Sequence, residues 1–195
     1  MDAAIARAGM EEKYAWAAEV AAVIDYEALD YKPVSGPDRI ETDETKVRRS
    51  FWTFLQAYQQ LTFYHGKWRY ANGIRNQATK YVDRWRLEQL TPEQSKVWGL
   101  LNRIRTIDTH QEPVMPTLHV QFKVLGVNGR GLVLNGNLVE VGRRKTLEVQ
   151  VGSRYYELTN LTRTGLKCMR LFIDTFDQIN SPLQEELPDT HDIRG

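Results

Sequence analysis

After Pro116 the hydrophobic period of this chain changes from helical to alternating, which limits the fold to a helical part followed by a strand-bearing part. Leu118, Val120, Phe122 and Val124 alternate with His119, Gln121 and Lys123, the pattern of a strand with one buried face. Asn128-Gly129 and Asn135-Gly136 are two-residue turn signals, so further strands are expected at about 131–134, 137–142, 146–151 and 154–158.

The part before Pro116 reads as helices. Tyr14, Ala17, Ala18, Ala21, Ala22 and Ile24 recur at near-helical spacing, predicting a helix from Met10 to about Leu29. Residues 31–44, with Pro33, Ser35-Gly36-Pro37 and several acids, read as an exposed acidic loop. Val47, Phe51, Phe54, Leu55, Tyr58, Leu61 and Thr62 form a core-facing stripe, predicting a helix from about Thr45 to Tyr64. A turn is expected near His65-Gly66, followed by a helical stretch over about 67–90.

Thr91-Pro92-Glu93-Gln94 is a capping box with proline at the first helical position, so a helix starts there. It buries Val97, Leu100 or Leu101, Ile104 and Ile107. Pro113 disfavours helical geometry at Glu112, which ends the helix near His110. A last helix over about 160–179 places Leu161, Met169, Phe172, Ile173, Phe176 and Ile179 on one face, and Ser181-Pro182 stops it. The expected class is therefore α+β, mainly α, a helical bundle with a small antiparallel sheet or hairpin insertion (117–158) before the last helix. One domain over residues 1–180 and a disordered acidic tail over 181–195 complete this expectation.

Charge is segregated along the chain, although the total is only +1. Residues 1–45 carry 4 Lys/Arg against 11 Asp/Glu, whereas residues 46–110 carry 12 against 4. In that basic block Lys46, Arg48, Arg49, Lys67, Arg69, Arg84, Arg86, Arg103 and Arg105 alternate with Trp52, Tyr64, Trp68, Tyr70, Tyr81 and Trp85, a composition suited to phosphates and unstacked bases. The contrary reading is that the acidic amino-terminal segment packs on the block or that the charges form ordinary solvated helix faces. A lone Cys168 permits no intramolecular disulfide and no cysteine-based zinc cluster, so a reducing cytoplasm is the expected compartment. No window approaches the roughly 20 apolar residues of a membrane span, so no membrane partner is expected. No cofactor or metal is expected either, because Asp108, His110 and Glu112 lack a recognised ligand spacing.

The last turns of the capped helix hold the candidate site. Arg105 offers a planar fork of donors that matches phosphate, and His110 can take and give a proton near neutral pH. Two or three long helices followed by a helix ending in Arg, a polar residue, three more residues and His resemble the HEPN superfamily. Arg105, Thr106 and His110 match its motif position by position, and Arg103 fits the looser six-residue spacing. The resemblance covers residues 45–110 and 160–180. Thr106 stands where the family more often has Asn, and the strands at 117–158 are additional to its helical frame.

This resemblance implies a metal-independent endoribonuclease of toxin or defence type, acting as a homodimer through Arg105 and His110. Arg103, Thr106, Arg84 and Arg86 are the expected RNA-binding residues. Five helical steps of about 100° set Arg105 and His110 about 140° apart, so one helix makes an incomplete site and two are needed. The competing expectation is a non-enzymatic protein- or nucleic-acid-binding protein of a bacterial or mobile-element system.

Overall fold

The computed structural model describes residues 1–29, 42–73, 78–110, 116–124 and 141–176. Its elements are α1 (Ala3–Glu27), α2 (Glu44–Ala71), α3 (Ala78–Gln89), α4 (Pro92–His110), β1 (Pro116–Val124), β2 (Val141–Val151), β3 (Arg154–Glu157) and α5 (Leu158–Asp174). The fold is α+β and mainly α, as the change of period required. The predicted acidic loop at 31–44 lies outside the described residues as far as position 41, and the Asn-Gly turns and the tail lie outside them entirely.

The first two helices form an antiparallel pair. Asp2 caps α1 by accepting the Ala4 N–H at 3.3 Å, and Asp43 caps α2 by accepting the Lys46 N–H at 2.9 Å. At one end of the pair the Asn72 amide donates to the Met1 carbonyl at 3.4 Å, and at the other Glu27 meets Lys46 at 3.5 Å. The first helix therefore starts seven residues before the expected Met10. Ala6 and Met10 are fully buried, so small side chains extend the apolar stripe where few large ones announce it.

No turn occurs at His65-Gly66, because α2 continues to Ala71. His65 is buried, with its ring 5.7 Å from Phe172 and 5.9 Å from Phe176, so continuing the helix extends the buried stripe of Leu61 into a further contact with α5. A single helical glycine costs only about 1 kcal/mol relative to alanine. That is less than a buried aromatic contact of this size contributes. The chain leaves the helix instead at Asn72 and Gly73, whose φ of +78° is left-handed and suits glycine.

α4 begins as its sequence dictates. The Thr91 N–H donates to Gln94 Oε1 at 2.9 Å and the Gln94 N–H to Thr91 Oγ1 at 3.3 Å, a reciprocal capping box. Thr91→Ala is expected to lower stability by about 0.5–2 kcal/mol, the usual cost of a lost N-cap. A chemical-denaturation midpoint equal to wild type would show that the cap contributes nothing.

The core is one continuous cluster drawing on all five helices and β2. At its centre Trp98 lies 4.9 Å from Tyr58, 5.0 Å from Trp85 and 5.6 Å from Phe172, and the Tyr58 hydroxyl donates to the Trp98 carbonyl at 3.0 Å. The Trp85 indole N–H donates to Thr175 Oγ1 at 2.8 Å, so this buried polar atom is satisfied. α5 crosses close to α2 and α4 at Gly165, where an added Cβ would come within 2.9 Å of both Phe54 and Leu101.

The sheet has the order β1-β2-β3, all antiparallel. Leu118 pairs with Leu147 and Pro116 with Val149, so the buried Leu147, Val149 and Val151 set the inward face. The two strands expected at 137–142 and 146–151 are, from Val141 onward, a single strand. Arg143, Arg144 and Lys145 lie within it, opposite Phe122, Gln121 and Val120. A connection of two residues joins β2 to β3, as the expected strand at 154–158 implied.

Candidate nucleic-acid interface

The candidate residues Arg103, Arg105, Thr106 and His110 occupy the last two turns of α4, which runs unbroken from the capping box to His110. Val97, Leu101 and Ile104 are buried, and this stripe fixes the rotation of the helix. That rotation leaves Arg103 and Thr106 exposed and Arg105 half-buried. The Thr106 hydroxyl donates back to the Asn102 carbonyl at 2.9 Å, so it serves the helix and keeps only acceptor capacity for a ligand. The backbone of His110 closes the helix, while its side chain lies outside the described residues.

Arg84 and Arg86 stand on α3, not on this turn. Arg84 is exposed and pairs with Glu88 at 2.8 Å, an i,i+4 contact of modest strength. Arg86 packs across Gly99 of α4 and lies 3.9 Å from Asp83, with about a third of its side chain exposed. A phosphate bound at both helices would have to reach Arg86 at the α3–α4 contact.

The aromatic residues of the basic block separate by burial. Tyr81 and Trp85 are buried, and Trp52, Tyr64 and Trp68 are half-buried; Tyr70 is exposed. Arg69 is buried too, its guanidinium 4.5 Å from the Tyr81 ring centroid. Most of the interleaving seen in the sequence therefore belongs to the core. Phe63 was missing from that pattern yet is 47% exposed, and its position two residues past Leu61, outside the apolar stripe, is the signal that could have found it.

Two carboxylates of the acidic first helix are engaged by α5. Glu11 accepts two hydrogen bonds from Arg170 at 2.7 and 2.8 Å, and Asp25 accepts one from Arg163 at 2.9 Å, so α1 carboxylates turn toward α5. Glu27 joins α1 to the block, meeting Lys46 at 3.5 Å. Glu11 and Asp174 hold the Arg170 guanidinium more firmly protonated than usual.

Two buried ionisable groups lie beside the aromatic centre. Burial pushes the Cys168 thiol up to about 12, and burial likewise raises the Tyr58 phenol well above its ordinary value. Both are held neutral, as packing groups and not as nucleophiles. Among the described residues no three His, Cys, Asp or Glu side chains gather where they could hold a metal ion, and no helix is long and apolar enough to cross a membrane. Comparisons with protein-family models, curated proteins and solved structures found no match for this chain.

Proposed function

We propose that the chain is a HEPN-like, metal-independent endoribonuclease that works as a homodimer through Arg105 and His110. The observation that carries this reading is the unbroken course of α4 to His110. Seven helical steps set Arg103 and His110 about 20° apart, nearly in line, and Arg103 is exposed. One line of the helix thus carries a phosphate-binding cation and a proton-transfer group.

Cleavage through the RNA's own 2′-hydroxyl requires a base, an acid and positive charge at phosphorus. His110 takes the 2′-hydroxyl proton as the 2′-oxygen bonds to phosphorus. The partner subunit's His110 gives a proton to the departing 5′-oxygen. Arg103 and Arg105 neutralise the crowded phosphate oxygens. The products are a 2′,3′-cyclic phosphate and a free 5′-hydroxyl.

Two measurements test the reading. Purified protein incubated with mixed RNA in chelator is expected to yield fragments ending in 2′,3′-cyclic phosphate. Light scattering at micromolar concentration is expected to give twice the mass of one chain, because a two-fold axis is the simplest source of the second histidine. A monomer that still cleaves would overturn the shared site, and the absence of cleavage across near-neutral pH would overturn catalysis.

A further inference from the structure

We infer that the outward face of α2 is a second, separate surface that binds single-stranded nucleic acid by base stacking. It does not depend on the chemistry assigned to α4. Gln59, Thr62, Phe63, Gly66, Lys67 and Tyr70 line an open groove of about 480 Å³ on this helix. These positions lie on the side opposite the buried stripe of Phe54, Tyr58, Leu61 and His65. Phe63 is 47% exposed and Tyr70 is 70% exposed.

Phe63 and Tyr70 are seven residues apart, so they stand on nearly one line about 10 Å apart along the axis. Lys67 lies between them, its ammonium 4.4 Å from the Phe63 ring centroid. Beyond the local backbone of its own helix, nothing lies within 4 Å of where a Gly66 Cβ would be, so the groove floor is open between the two rings. Two π-faces with a cation between them match two unstacked bases and the phosphate backbone joining them.

Charge selects this occupant over others. From Thr45 to Ala71 the helix has no carboxylate, and α1 has none from Ala3 to Met10; Glu11 and Glu12, the next acids along α1, pair with Arg170 and Lys13. Asp2, just before Ala3, is engaged in capping α1. A second copy of the chain docking about a two-fold axis would bring the same patch against itself and set Lys67 near its own copy, with no acid from Thr45 to Ala71 of either copy to relieve it. A polyanion meets no such repulsion.

The test uses a fluorescein-labelled 12-mer of mixed sequence, as single-stranded DNA and as RNA, with binding read by anisotropy at several salt concentrations. The DNA lacks a 2′-hydroxyl, so it reports binding even if RNA is cut. Wild type is expected to bind both, and Phe63→Ala and Tyr70→Ala each to weaken binding roughly 5- to 100-fold. Lys67→Ala is expected to reduce the salt slope by about one. Leu87→Ala and Tyr155→Ala, at exposed apolar positions away from the groove, should bind the DNA as wild type does, which ties the loss to Phe63 and Tyr70. Thermal melts of the variants should match wild type, since these side chains are exposed. The inference is overturned if the Phe63→Ala/Tyr70→Ala protein binds both oligomers undiminished, or if folded wild type binds neither at low salt. It is also overturned if the double variant converts a dimer to a monomer, which would make the face an interface between copies.

Discussion

Trp98→Ala is expected to lower the unfolding free energy by about 3–5 kcal/mol, the range for removing a large aromatic side chain from a packed core. Trp98 is only 2% exposed and is the common neighbour of Tyr58, Trp85 and Phe172, so its loss leaves three rings without a partner. These rings come from α2, α3 and α5, and the cavity would open where four helices meet. Domains of this size are stable by only about 5–15 kcal/mol, so the variant should melt far below wild type. Tyr70→Ala, at an exposed position, should change stability by no more than about 0.5 kcal/mol. Denaturant midpoints for the two variants make the comparison. A loss at Trp98 below about 1 kcal/mol would mean that the aromatic centre does not organise the core.

The parts of the fold that were legible in the sequence are those where a local rule and the tertiary packing agree. Thr91 and Gln94 cap α4 with no help from elsewhere, and the alternation beginning at Leu118 needs only one buried face to become a strand. The passage through His65-Gly66 was not legible, because a glycine weakens a helix locally while the gain comes from Phe172 and Phe176, more than a hundred residues away. Ala6 escaped notice for a related reason, since alanine is small enough to bury without marking an apolar stripe.

The candidate site was legible as positions on one helix but not as an environment. Counting from the cap gives the rotation of Arg103, Arg105 and Thr106, and the buried Leu101 and Ile104 agree with it. Spacing could not show that Tyr81, Trp85 and Arg69 spend their side chains inside the molecule. A basic and aromatic composition looks the same whether its rings face bases or face each other. Burial alone divides the two, and it leaves Phe63, Lys67 and Tyr70 outward together near the end of α2.

His110→Ala is expected to lower RNA cleavage by roughly 10²–10⁴-fold, the usual contribution of a positioned acid or base. In the proposed symmetric site the substitution removes both the group that takes the 2′-hydroxyl proton and the group that protonates the leaving oxygen, one from each subunit, so the loss should lie at or above the upper end of that range. Arg105→Lys should also impair cleavage, since an ammonium keeps the charge and loses the two-point fit to phosphate. Helical spacing puts neither position in line with the buried Val97, Leu101 and Ile104, so melting temperatures should stay close to wild type. Mixing His110→Ala with Arg105→Lys protein gives a sharper result: a heterodimer retains one intact histidine and one intact arginine, and a site built from both chains should respond to the mixture differently from two independent sites. Residual cleavage identical in wild type and His110→Ala would show that the activity lies elsewhere, and α4 would then be read as a binding helix whose arginines hold a partner without turning it over.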